Sequence, residues 1–179
     1  PGAAVVQALV SMLDQHPALI GLDLRGMRLG DEDGVVLAKA IGRNCRLKKL
    51  DLSFTHLGPR SAEELAAAVL SAKERCEPEQ TPEFEMLSLQ HNPFGDEGAE
   101  ALAGLVSAAP AALKLLILTD APADKADGFS AEARGKLIAA AKSNPNLDFW
   151  TATNQKVRKN WAQLQGGRAQ ETTPKPTAP

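Results

Sequence analysis

The apolar residues of this chain follow a frame of the form L-x-x-L-x-L that occurs four times along the sequence. The frames start at positions 19, 47, 84 and 113, at intervals of 28, 37 and 29 residues (47−19, 84−47 and 113−84). Their apolar residues are Leu19, Leu22 and Leu24; Leu47, Leu50 and Leu52; Phe84, Leu87 and Leu89; and Leu113, Leu116 and Leu118. A frame that recurs at this period is typical of a solenoid of stacked repeats.

Each frame predicts a short strand, and the alanine-rich stretch that follows it predicts a helix. The first, fourth and sixth positions of the frame point inward, and the residues between them point to the other face of the sheet. Because no single repeat buries its apolar side, stacking must supply the core. We therefore expect an α/β solenoid with a parallel concave sheet and convex helices.

A fifth, weaker frame at Leu147, Trp150 and Ala152 predicts about five strands, the last centred near Trp150. Two repeats are longer than the others. Their extra residues predict surface loops, because residues 73–85 are acidic and contain prolines and residues 120–128 are rich in turn-forming residues.

Both ends of the solenoid are predicted to carry helices. An apolar stripe over residues 5–13 predicts an N-terminal cap, or the back half of an earlier repeat. Val157, Trp161 and Leu164 follow i, i+4, i+7 spacing and predict a short C-terminal capping helix. We therefore expect one repeat domain over residues 1–165 and a disordered tail over 166–179.

Polar residues predict where the convex helices begin and apolar residues predict their buried sides. The acidic runs at 30–34 and 95–98 open two helices. Ser61 and Glu64 have the spacing of a capping box, and Ser130 has the place of an N-cap. In the helix after Ser130, Ile138 is expected to face inward with its apolar neighbours.

The segments LDLRGMRLGDEDGVVLAKAI, LDLSFTHLG and LSLQHNPFGDEGAEALAGLV resemble the ribonuclease-inhibitor class of leucine-rich repeats. The resemblance covers roughly residues 19–152 and implies a full helix on the convex side of each repeat. The class commonly has Asn or Cys at position nine. Only Asn92 complies, whereas Met27, Thr55 and Ala121 do not. Since that asparagine ties its turn to the backbone, we expect the other turns to close differently.

The layout of about five repeats with a longer last one and a short final helix also resembles the C-terminal domain of tropomodulin. The segments SAEARGKLIAAAKSNPNLDFW and QKVRKNWAQLQ carry this resemblance. Tropomodulins cap the pointed ends of actin filaments, so the resemblance implies actin as a partner. No actin-contact motif aligns residue by residue, so the resemblance assigns no site residues.

Composition is that of a soluble globular protein, with 44% apolar and 23% charged residues. The net charge of −2 gives no electrostatic reason to expect nucleic acid or an anionic membrane as a partner. No apolar run approaches the roughly 20 residues of a membrane span. Cys45 and Cys76 are too few for a disulfide scaffold, which favours a reducing, cytoplasmic location, at the cytoskeleton if the partner is actin.

Catalytic and metal-binding patterns are weak in this sequence. The acidic run at 31–33 resembles the start of a calcium loop, but Ala40 stands where an EF-hand needs a bidentate glutamate. The first turn of a helix, favoured by the helix dipole, explains the run better. His56 and His91 are interpreted as turn residues rather than metal ligands. No nucleophile stands beside a base, so we predict a protein that is not an enzyme and has no cofactor or metal.

Positions three, five and seven of each repeat line the concave face and are the candidate protein-binding residues. The candidates are Asp23, Arg25, Lys49, Asp51, Met86, Ser88, Gln90, Leu115 and Ile117. They change from charged to apolar along the solenoid. Two questions stay open: whether Leu115, Ile117 and Phe149 are exposed or covered by the C-terminal helix, and whether the Asp23–Lys49–Asp51 alternation contacts a partner or forms solvated cross-strand pairs.

The function expected from these features is a protein-interaction module that docks a partner on its concave face. Two alternatives remain. A regulator of a partner enzyme, such as a GTPase-activating protein, would supply an arginine, for which Arg25, Arg28 and Arg60 are the candidates near the turns. A purely structural segment of a larger scaffold is the other.

Overall fold

The computed structural model describes residues 3–16, 18–71, 84–108, 113–118, 128–144 and 147–150. Helices and strands alternate along this part of the chain. The helices are α1 (Ala3–Gln15), α2 (Gly30–Arg43), α3 (Pro59–Leu70), α4 (Gly95–Ala108) and α5 (Ala131–Ser143). The strands are β1 (Gly21–Asp23), β2 (Lys49–Asp51), β3 (Met86–Ser88), β4 (Leu115–Ile117) and β5 (Asp148–Trp150).

The five strands form one parallel sheet in the order β1-β2-β3-β4-β5. Leu22, Leu50, Leu87 and Leu116 are successive register partners across the first four strands. These residues hold the fourth position of each frame, so the predicted strand centres are confirmed. Each helix packs against the helix of the next repeat, and the helices form a second layer behind the sheet.

The fifth strand differs from the prediction by one residue. Leu116 pairs with Phe149, so the expectation that Trp150 is the centre of the strand is wrong. Leu147 is buried, as its frame predicted. The centre of the strand is two residues after Leu147 (149−147), whereas it is three residues after the first position in the second frame (50−47). Asn144, three residues before Leu147, donates to the Val106 carbonyl at 3.1 Å, as Asn44, three residues before Leu47, donates to the Leu13 carbonyl at 2.8 Å. This anchor is common to the shifted and the unshifted repeat, so it does not account for the shift.

Several predictions fall outside the described residues. These are Ala152, the capping helix at 155–165, the tail at 166–179, and most of the loops at 73–85 and 120–128.

The core lies between the sheet and the helices and is built from the predicted frame positions. In the second, third and fourth repeats these side chains are at most 2% exposed. Leu19 and Leu22 of the first repeat are only partly buried, because β1 has its described neighbour, β2, on one side alone. Burial of this kind contributes roughly 1.5–3 kcal/mol per leucine.

Two helices present different faces from those predicted. In α5, Leu137 is buried but Ile138 is 40% exposed, so the expectation that Ile138 faces inward is wrong. In α1, Val6 and Leu13 are buried whereas Val5 is exposed. Both helices lie at an end of the described helical layer, so each packs against only one neighbouring helix. The buried apolar stripe on each of them is therefore narrower than on the helices between them.

A carboxylate at the start of α2 caps the next helix of the solenoid. Asp31 Oδ1 accepts from the backbone N–H of Gly58 at 3.0 Å, from the backbone N–H of Ser61 at 2.8 Å and from the Ser61 hydroxyl at 2.7 Å. Ser61 is the third residue of α3, whose N-cap is Gly58. The predicted capping box of Ser61 with Glu64 is therefore wrong, because Ser61 bonds across the repeats instead.

The same arrangement recurs one repeat further along. Asp96, the second residue of α4, accepts from the backbone N–H of Ser130 at 2.7 Å. Ser130 in turn caps α5, since its hydroxyl accepts from the Ala133 N–H at 3.1 Å, as predicted. The hydrogen bonds from Ser130 lower the pKa of Asp96.

Asn92 joins the turns of the second and third repeats. Its Oδ1 accepts from the backbone N–H groups of Thr55 and Leu57 at 3.1 and 3.0 Å. Its Nδ2 donates to the carbonyls of Leu52 and Leu89 at 2.8 and 3.0 Å. Thr55, which replaces the asparagine in the second repeat, closes its own turn by donating to Leu52 at 2.5 Å. This confirms that a turn without asparagine closes differently.

Close packing of α2 against the next repeat yields a prediction for Gly34. A Cβ there would lie 2.2 Å from Ser61 Oγ and 2.4 Å from Leu57 Cδ2, both in buried residues. We expect Gly34→Ala to lower the free energy of unfolding by about 1–3 kcal/mol through overpacking. Gly104→Ala is the matched control. Nothing lies within 4 Å of its Cβ, so it should add about 0.5–1 kcal/mol of helix stability. Urea denaturation measures both, and equal effects would contradict the packing argument.

The capping by Asp31 yields a prediction for acid stability. Burial raises the pKa of Asp31, but hydrogen bonds from Ser61 and Gly58 outweigh it and hold this pKa below its ordinary value of 3.8. The charged form therefore stabilises the fold above that pH, and its contribution is lost as the pH falls through the folded-state pKa. Asp31→Asn keeps an acceptor oxygen but loses the charge, and should cost about 1 kcal/mol at neutral pH because hydrogen bonds to a charged acceptor are stronger.

The two proteins should converge in stability as the pH falls below 3.8, which denaturation curves at several pH values would measure. Glu32→Gln, at an exposed neighbouring position, is the control and should change stability much less. A pH-independent difference between the wild type and Asp31→Asn would show that the charge of Asp31 is not what matters.

Candidate protein-binding surface

The polar half of the concave face is organised by Arg25 and Asp51. Arg25 donates from Nε and Nη2 to Asp51 Oδ2, at 3.2 and 2.6 Å. Asp51 Oδ1 accepts from the backbone N–H of Ser53 at 2.9 Å. The Asp51 side chain is 6% exposed and that of Arg25 is 47% exposed. A nearly buried carboxylate thus holds a surface guanidinium in one orientation.

Asp23 repeats this local geometry in the first repeat but stays open to solvent. Its Oδ1 accepts from the backbone N–H of Arg25 at 3.0 Å, as Asp51 does for the residue two positions on. Its side chain is 66% exposed. The Arg25 guanidinium is ion-paired with both carboxylates, with Asp51 on the neighbouring strand at 2.6 Å and with Asp23 at 3.7 Å.

The polar residues in the middle of the concave face include two that are buried. The hydroxyls of Ser53 and Ser88 lie 2.9 Å apart, and both residues are 1% exposed. Ser88 therefore serves to join β2 to β3, and a partner would not reach it. Lys49, on the preceding strand, and Gln90, two residues after Ser88, are half-buried.

The apolar half of the face forms a cluster of its own, separate from the main core. Met86, Leu115 and Ile117 make up this cluster and are 9%, 2% and 4% exposed. The structure thus answers part of the open question, because Leu115 and Ile117 are buried. Their role as partner-binding anchors stays a prediction. The predicted covering helix at 155–165 lies outside the described residues.

The turns that follow the strands carry exposed side chains that the sequence analysis did not select. Phe54 and His91 stack with their ring centroids 4.1 Å apart and their planes at 16°. Phe54 is 44% exposed. His56, two residues further along, is exposed. The sequence signal for this feature was an aromatic residue, Phe54, at position eight of its repeat, between two apolar frames.

Other predicted groups have ordinary structural places. Asp31 lies in the first turn of α2, as predicted, but its carboxylate accepts hydrogen bonds from the start of α3. Arg25 is held by Asp51, while Arg28 and Arg60 are exposed. No helix in the described part of the chain has the length and apolar character to cross a membrane.

The state of the cysteines differs from the sequence-based expectation. Cys45 is disulfide-bonded, whereas the small number of cysteines favoured a reducing location. The other cysteine of the chain, Cys76, lies outside the described residues.

Sequence comparison finds repeat proteins. A family model described as a leucine-rich repeat matches residues 43–66 and 85–103. Tonsoku-like proteins from Bos taurus and Mus musculus are each 36% identical to this chain over 107 residues, which is 60% of this chain. The matched region spans about 7% of the length of these curated relatives.

Structure comparison finds the same architecture. Leiomodin-1 actin-binding site 2 matches with a TM-score of 0.63 at 12% identity, over 90% of this chain and 95% of that one. The Caenorhabditis elegans tropomodulin C-terminal domain matches with a TM-score of 0.59 at 15% identity, over 89% and 95%. At these identities the likeness concerns the fold. The repeated frame, the parallel sheet and the family match together support a leucine-rich repeat solenoid.

Proposed function

We propose that this domain is a protein-interaction module that docks a protein partner on the first three strands of its concave face. The observation that carries the proposal is the distribution of exposed polar groups on the sheet. Asp23 and Arg25 are exposed and Lys49 and Gln90 are half-buried, whereas the apolar residues of β4 are buried. The accessible part of the face is therefore polar and lies towards β1.

Recognition by this surface rests on preorganised charges. The Asp51 carboxylate fixes the Arg25 guanidinium before a partner arrives, so less side-chain entropy is lost on binding. Asp23 and Lys49 add charges of opposite sign on neighbouring strands. A partner with the complementary order of charges would be favoured, and one with the reverse order would be repelled.

Actin is the partner that we propose to test first. The leiomodin-1 segment that shares this fold is an actin-binding site by name, and the sequence layout resembles the tropomodulin C-terminal domain. A cytoplasmic, cytoskeletal location accompanies this proposal. We propose binding rather than catalysis as the activity. Of the three candidate arginines for a GTPase activator, Arg25 is held by Asp51, whereas Arg28 and Arg60 are exposed, so that alternative stays a prediction for an assay with small GTPases.

The proposal predicts the effect of reversing one charge on the concave face. Lys49→Glu should weaken partner binding at least about tenfold, or ~1.4 kcal/mol, because it reverses the charge of a half-buried position on the proposed docking surface. Lys142→Glu is the matched control, since Lys142 is exposed on α5 in the helical layer. Both variants should keep the melting temperature of the wild type.

Two measurements check this prediction. In the first, pyrene-actin elongation is followed at pointed ends of filaments whose barbed ends are blocked. The wild type and Lys142→Glu should slow elongation, and Lys49→Glu should not. In the second, proteins captured by the three immobilised forms are compared by mass spectrometry. Absence of inhibition would remove actin as the partner, and identical capture by all three forms would remove the concave face as the docking surface.

A further inference from the structure

Three successive turns of the solenoid share one backbone conformation at position eight. Gly26, Phe54 and His91 have positive φ angles of 77°, 60° and 54°. Hydrogen bonds align these turns, since the Gly26 N–H donates to Ser53 O and the Phe54 N–H donates to Gln90 O, each at 2.9 Å. The three residues are thus stacked neighbours along the solenoid.

The left-handed conformation costs free energy at two of these positions. Glycine adopts a positive φ without strain, whereas a phenylalanine there is a steric outlier. Gly26 shows that the same turn forms with a residue that has no side chain. Strained residues of this kind concentrate at functional sites, and folding alone gives no reason for Phe54.

One face of the Phe54 ring is covered and the other is open. His91 stacks on the side of the third repeat, with 4.1 Å between the ring centroids. On the side of the first repeat stands Gly26, and nothing lies within 4 Å of where its Cβ would be. We call this space beside Phe54 the Gly26 slot. A side chain at position 26 would be the next member of the stack formed by Phe54 and His91, so a planar ring inserted there would continue that stack.

The residues at positions eight and ten of these turns include no acidic group, and Asp23, the exposed carboxylate three residues before Gly26, is paired with Arg25. Positions eight and ten of the three turns are Gly26, Arg28, Phe54, His56, His91 and Pro93, of which all but the half-buried His91 are exposed. None is a carboxylate, although the whole chain has a net charge of −2. Arg28 beside the slot would attract negative charge flanking an inserted ring.

We propose that the Gly26 slot binds an aromatic side chain from an acidic peptide segment of a protein partner. The ring stacks on the open face of Phe54, and the acidic residues beside it contact Arg28 and the neighbouring histidines. This inference rests on the proposed interaction function and adds to it a second contact surface and the chemistry of the partner. A nucleic acid base would also stack here, but one exposed arginine beside the slot is too little charge for a phosphate backbone.

The probe is a synthetic peptide with one tryptophan between glutamates and aspartates, titrated into the 15N-labelled chain. We expect the amide resonances of Gly26, Phe54 and His91 to shift. The same peptide with alanine in place of tryptophan, and a tryptophan peptide flanked by lysines, should shift them much less. An oligothymidine is the nucleic acid arm of the experiment and should leave them unchanged.

Two variants separate binding from folding. Phe54→Gly removes the ring and relieves the strained φ, so it should fold at least as stably and bind the peptide at least about tenfold more weakly. Gly26→Asn fills the slot with a residue that tolerates this φ and should also weaken binding. Val36→Ala removes an equally exposed apolar side chain from α2 and should leave binding unchanged.

Equal shifts from the tryptophan and alanine peptides, unchanged binding by Phe54→Gly, or shifts from the oligothymidine alone would overturn this inference. Failure of the slot inference can be distinguished from failure of the proposed function. Lys49→Glu alters the concave strands and should still bind the tryptophan peptide. Loss of partner binding in Lys49→Glu with no peptide binding to the wild type would refute the slot and leave the proposed function standing.

Discussion

The buried amide of Asn92 is the interaction on which the middle of the solenoid depends. It is fully buried, and it bonds to backbone groups of both the second and the third repeat. An unsatisfied amide at this depth would cost several kcal/mol, so the backbone positions on either side are fixed together. Thr55 and Asn92 directly follow Phe54 and His91 in sequence. The same hydrogen bonds therefore hold the two strained turn residues in place, which explains how a left-handed phenylalanine persists.

The parts of the fold that sequence reasoning recovered are those set by local periodicity. Leu50 and Leu87 belong to a frame in which apolar and polar residues alternate, and this alternation determines which face of the strand points inward. The strand centres and the core residues could therefore be predicted. The parts it missed depend on contacts between repeats. Ser61 matched a local capping pattern but bonds to Asp31, 30 residues earlier in sequence. The register of the fifth strand, in which Leu116 pairs with Phe149, likewise depends on pairing with the strand of the preceding repeat.

The candidate binding surface also has features that the local sequence pattern predicts and features that depend on contacts between repeats. Alternation along the strands correctly assigned Met86, Leu115 and Ile117 to a cluster apart from the main core. It gave no information on how far these side chains are exposed, because burial depends on what else packs against the sheet. Phe54 was missed for a related reason. Its importance lies in a glycine 28 residues earlier and a histidine 37 residues later (54−26 and 91−54), which only the stacked turns bring together.

The capping carboxylates have a consequence for how the domain comes apart. Asp31 ties the first repeat to the second, Asn92 ties the second to the third, and Asp96 ties the third to the fourth. In a one-dimensional stack, total stability is the sum of weak intrinsic repeat terms and strong nearest-neighbour terms. A polar side chain that crosses each of these three junctions increases the neighbour term at every step. Partially unfolded states with one repeat detached are thereby depleted, and the described repeats should melt as one cooperative unit rather than fray from an end.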